Sequence, residues 1–98
     1  MNFKTFWNSS TPTPATGGYK IYRKIDSSPF GLVGSAPANA NDFTDTVNGP
    51  TGAHTVQYGV SGINNTGQES AMGLGPTLNF TINEPTPSVP TGVDTQVV

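Results

Sequence analysis

His54 is the only histidine in a chain that has no cysteine. Ser-His-Asp catalysis would require Asp42 or Asp45 and a serine to converge on it, and no spacing in the sequence brings such a set together. The simpler reading of His54 is a polar residue where a loop enters a strand. Asp42 and Asp45 are also the nearest approach to a glycosidase carboxylate pair, which would need a sugar-binding cleft of a kind that small domains rarely provide. Together with Asn39 and Asn41 they form an oxygen-rich cluster of the type that suits calcium. It lacks the alternating ligands and bidentate Glu of an EF-hand loop, and side chains bonding nearby backbone are the preferred account of it. Without cysteine there are no disulfides, thiolate metal sites or thiol nucleophiles. No catalytic, cofactor-binding or metal-ligating set emerges, no cofactor is expected, and an enzyme is the weakest reading.

The elements that would have to position any site are strands. Ninety-eight residues suffice for one domain with a thin core. Only 10% of residues are charged and 33% hydrophobic, with Thr, Ser, Asn, Gly and Pro abundant, so turns and short strands are favoured over helices. A net charge of -2 leaves no electrostatic footprint for nucleic acid or anionic membrane. No apolar run is long enough for a signal peptide or a bilayer span. Such a chain is expected to reach the outside by lysis, as a virion part does, or to be a segment of a longer exported protein.

Residues 3–8 are aromatic and read as a strand anchored by Trp7, followed by the turn-rich stretch Ser9-Ser-Thr-Pro-Thr-Pro14. In residues 19–25 alternation puts Tyr19, Ile21 and Arg23 on one face and Lys20, Tyr22 and Lys24 on the other. Further strands are expected over 30–36, 42–47 and 54–63, the last with Val56, Tyr58 and Val60 on one face. Leu78, Phe80 and Ile82 repeat at period two and mark the final core strand. Asn83-Glu-Pro-Thr-Pro-Ser88 is a stiff extended linker. It leads to a strand-like segment in which Val93 and Val97 flank Thr95 on one face, with Val98 following.

Four segments, Gly18-Tyr-Lys-Ile-Tyr-Arg23, Phe30-Gly-Leu-Val-Gly-Ser-Ala-Pro37, Phe43-Thr-Asp-Thr46 and Tyr58-Gly-Val-Ser-Gly-Ile-Asn-Asn-Thr-Gly67, occur in an order and spacing that resembles bacterial-type fibronectin type III domains. The resemblance covers most of the chain. It implies an all-β, immunoglobulin-like two-sheet Greek-key sandwich, with Trp7, Tyr19, Ile21, Leu32, Phe43, Tyr58, Val60, Leu78 and Phe80 as core. Two departures stand out. Val56 occupies the position where the family places the Tyr of its tyrosine corner, so that corner is absent. The family's first-strand sequence, here Pro87-Ser-Val-Pro-Thr-Gly-Val93, comes last.

The chain therefore divides into a sandwich lacking its usual first strand (1–82), a Pro-rich linker (83–90) and a first-strand-like segment (91–98). For that segment to fold back in the family's orientation, the short linker must run the length of the domain, about 20 Å at roughly 3.3 Å per residue, and would be nearly taut. Passing into a neighbouring copy needs no reversal and completes an otherwise open edge. Such a head-to-tail contact need not close, and so builds a filament. Val93, Thr95, Val97 and Val98 are the expected assembly residues.

The function expected from this architecture is structural: a module on the exterior of a particle or filament, such as a phage virion decoration or fibre component, whose partners are other copies or a neighbouring structural protein. The alternative is a spacer or binding module of a larger exported enzyme or adhesin. There carbohydrate or protein contact would fall to loop residues such as Asn64, Asn65 and Gln68, and outward-facing Tyr22 could stack on a sugar. No Arg-Gly-Asp triplet is present.

Overall fold

The alternation of residues 19–25 becomes strand β2 (Gly18–Ile25) in the computed structural model, which describes residues 1–98. With it come β1 (Asn2–Phe6), β3 (Gly31–Ala36), β4 (Asp42–Thr46), β5 (Gly52–Ile63), β6 (Gly73–Leu74) and β7 (Leu78–Ile82), and no helix. The protein is all-β, in two sheets. One is the antiparallel pair β1-β4, and the other is five-stranded, in the order β3-β2-β5, with β6 and β7 sharing the far side of β5. That sharing is possible because β5 is long: Gly52 to Val56 pair with β7, and Gly59 and Val60 with β6.

The core forms where the inward faces of the two sheets meet, around Ile21, Val47, Val56, Tyr58 and Phe80. Phe3 of β1 crosses the interface, its ring centroid 5.1 Å from Phe80 edge-on and 6.2 Å from Tyr58. Trp7, just beyond β1, sits 5.3 Å from Tyr19. Tyr19, Ile21, Tyr58 and Phe80 are buried, while Trp7, Phe43 and Val60 are half-buried against the cluster. Gly34 is required where the sheets close on each other: the Phe43 ring of β4 lies directly on it, and any side chain there would collide with the ring.

Two expected core residues are outside it. Leu32 is exposed because the β2-β3 register shifts between Ile21 and Tyr22. The irregularity sets Leu32 opposite outward-facing Tyr22, and a one-residue slip moves a side chain to the other face. Leu78 stands opposite buried Val56 but remains 44% exposed, because the space beside its edge strand is an open groove. Strand β6 was not anticipated, being too short for a period to register.

Residues 83–98 join neither sheet and are exposed throughout. Val93 is 82% exposed, and Val97 and Val98 are fully so. The segment runs away from the sandwich, giving the chain principal extents of 81 × 25 × 19 Å.

Candidate functional site

Strand β1 has one partner, β4. Met1 and Val47 exchange both main-chain hydrogen bonds, and the Trp7 N–H donates to the Asn41 carbonyl at 3.0 Å. In an antiparallel ladder the bonded positions alternate, so residues 1, 3, 5 and 7 turn their main-chain groups toward β4. Asn2, Lys4 and Phe6 turn theirs away, to an edge that nothing in the chain covers. Side chains follow the same alternation: Phe3, Thr5 and Trp7 lean into the interior, while Lys4 and Phe6 are exposed. Lys4 Nζ lies 5.3 Å from the centre of the Phe6 ring.

Between this edge and the β6-β7 side of the larger sheet runs a groove. One part, about 410 Å³, is lined by Phe6, Trp7, Tyr19, Val60 and Leu74. The next, about 280 Å³, is lined by Phe3, Phe6, Pro76 and Leu78. The two share Thr5, Phe6, Tyr58 and Gly75, which makes the groove continuous along β1. Phe6 and Leu78 are 69% and 44% exposed, a concentration of apolar surface at an unpaired strand edge. Trp7 adds a further signal, since its Nε1 is buried and has no acceptor; a buried unsatisfied donor is uncommon in a folded chain.

Polar residues singled out by sequence are held in other ways. Asp42 and Asp45 lie three apart on β4 and so face opposite sides of the sheet, which removes them as a carboxylate pair. Asp42 meets Lys4 at 3.7 Å on the outside. Asp45 does not bond nearby backbone as expected. Its Oδ2 accepts from Arg23 Nη1 and from the Tyr58 hydroxyl, both at 2.7 Å, tying one sheet to the other. Burial, and then the bond to Asp45, push the Tyr58 hydroxyl well above its ordinary range. Asn41 donates to the Trp7 carbonyl and to Ser9 Oγ. The oxygen cluster is thus dispersed into structural contacts, and no group of three His, Cys, Asp or Glu converges.

His54 is placed between two acceptors, Asp26 Oδ2 at 2.9 Å and the Pro50 carbonyl at 2.7 Å. Only the doubly protonated ring can donate to both, so the bonds to Asp26 and to Pro50 raise its pKa, and the same contact with His54 lowers that of Asp26. With both nitrogens engaged, neither can activate a nucleophile.

In the loop set, Asn64 Oδ1 accepts from the Thr66 and Gln68 N–H groups, and the side-chain amide of Asn64 donates to Gln68 Oε1 at 2.8 Å. Asn64 and Gln68 thereby shape their own loop, while the Asn65 N–H donates to Thr16 Oγ1. Tyr22 is tethered as well: its hydroxyl donates to Glu69 Oε2 at 2.5 Å, where the Ser61 hydroxyl also donates at 2.6 Å, while Lys20 Nζ lies 3.4 Å from Glu69 Oε1. Those donors, Ser61 first, depress the Glu69 pKa, and the bond to Glu69 raises that of Tyr22.

Comparison of the chain with family models, with curated proteins and with solved structures finds no significant match.

Proposed function

We propose that this protein is a fibronectin type III-like, non-enzymatic assembly module that polymerises by passing residues 91–98 from one copy to the next, on the exterior of a particle or filament such as a phage virion. One observation carries the reading: an unpaired strand edge beside an apolar groove occurs in the same chain as an unpaired segment bearing Val93, Val97 and Val98. The strand order supports the family assignment. With β1 and β4 taken as strands B and E, and β2, β5 and the β6-β7 edge as C, F and G, the pairings follow those of an immunoglobulin-like sandwich whose A position is unpaired. Main-chain bonding to a sheet edge is a known recognition mode, with alternate side chains adding specificity.

Sedimentation at micromolar concentration tests this. The full chain is expected to form a concentration-dependent ladder of oligomers, and a version ending at Asn83 to be monomeric. Two stable monomers with equal melting temperatures would overturn the donated strand. A second reading, a spacer or binding module of a larger exported protein, draws on the extended course of residues 83–98, which also suits a linker between domains.

A further inference from the structure

We infer that the groove receives residues 91–98 of a second copy, running antiparallel to β1, with Val93 against Trp7 and Val97 against Phe3 and Leu78; the inference rests on the strand-donation reading and specifies its acceptor. Direction follows from the poles of the sandwich. Met1, Val47, Gly49 and Ile82 surround one cavity, so β7 ends at the pole where β1 begins. Residues 83–98 leave at that pole. Continuing without reversal into a second, similarly oriented copy, they arrive at its Trp7 pole and travel toward its Met1 pole, opposite to β1.

The side chains then meet in register. Val93 and Val97 are four residues apart on one face, as are Phe3 in β1 and Trp7 just beyond it. At about 3.3 Å per residue the two valines are spaced like the two aromatic residues they would meet, and Leu78, opposite inward-facing Val56, lines the groove together with Phe3. On the other side of the backbone, Asn2, Lys4 and Phe6 offer the unpaired main-chain groups that an added strand needs. Trp7, whose buried Nε1 has no acceptor inside the chain, lines the end of the groove at which the incoming strand enters. The chain's own segment is a poorer occupant: from the Met1 pole, a simple reversal would lay it parallel to β1, and the antiparallel course would first require the linker to cross the whole domain.

The chain has no native cysteine, so paired cysteines report position without competition, and disulfides form only where Cβ atoms come within about 3.5–4.5 Å. In the full chain, Leu78→Cys with Val97→Cys is expected to give a ladder of disulfide-linked multimers on non-reducing gels. The crossed pair, Leu78→Cys with Val93→Cys, is expected to give at least ten-fold less. A ladder from the crossed pair alone would overturn the antiparallel course. A disulfide closed within single chains would overturn the second copy as occupant. Oligomers that depend on residues 84–98 yet form none of these disulfides would overturn the groove as acceptor while leaving strand donation standing. Monomers in every variant and in the parent chain would overturn both.

Discussion

At the scale of single residues, the clearest built-in response belongs to His54. Its side chain is only 14% exposed, lies 5.5 Å from the Phe80 ring, and is bonded on both nitrogens to oxygens that can only accept. Because its folded pKa is raised above the ordinary 6.5, the stability it contributes is fully present below about that pH and is lost as pH rises through the folded value. Asp26 behaves conversely: its folded pKa lies below the ordinary 3.8, so its contribution is present above that pH and is lost as pH falls through the folded value. The pair is therefore most effective between these limits. Melting temperatures measured at pH 5 and pH 8.5 are expected to differ more in the parent chain than in His54→Gln, whose single amide cannot reproduce two charge-assisted donations. Equal pH dependence in the two proteins would show that the ring carries no proton-linked stability. This contact, between residues 28 apart in sequence, leaves no local trace that a reading of His54 and its neighbours could find.

At the scale of elements, legibility follows the range of the interaction. Tyr19, Ile21, Tyr58 and Phe80 are buried as their alternation predicts, since period two is a property of the strand itself. Leu32 escapes because the irregularity opposite Ile21 and Tyr22 is a relation between two strands, and the bonds of Asp45 leave no local trace because both of its partners lie on the other sheet. Those bonds have an element-scale consequence, since the two-stranded sheet meets the larger one through few side chains. Asp45→Ala leaves the Arg23 guanidinium and the Tyr58 hydroxyl without their acceptor. With Asp45 12% exposed and Arg23 28% exposed, solvent screens part of the loss, and an expected destabilisation of about 3 kcal/mol sits at the low end for breaking a buried pair. Tyr58→Phe keeps the ring packing and the ion pair and is expected to lose about 1 kcal/mol, a typical net hydrogen bond. Chemical denaturation of both variants checks the order: a Tyr58→Phe loss equal to that of Asp45→Ala would mean that the hydroxyl alone ties the sheets.

At the scale of the whole molecule, the sandwich and residues 83–98 have complementary deficits. Only 10 of the 98 residues are buried, a core kept small by the open groove on one side and by residues 83–98, about a sixth of the chain, lying outside the sandwich. Filling the groove should therefore stabilise the fold as well as join copies, and a soluble peptide of residues 88–98 separates the two effects. Added to a chain ending at Asn83, the peptide can bind but cannot propagate. A ligand that binds only the folded state stabilises it by about 2.7 kcal/mol at 100 times its Kd, which for a domain of this size raises the melting temperature by roughly 10–20 °C at about 4–8 °C per kcal/mol. Added to the full chain, the same peptide competes for every groove, so oligomers are expected to shorten as its concentration rises while the melting temperature holds. A peptide carrying Val93→Asp and Val97→Asp keeps the same main chain and should do neither, because the buried contacts select the strand. A melting temperature raised equally by both peptides would show that backbone pairing alone drives the addition and that the valines do not choose the partner.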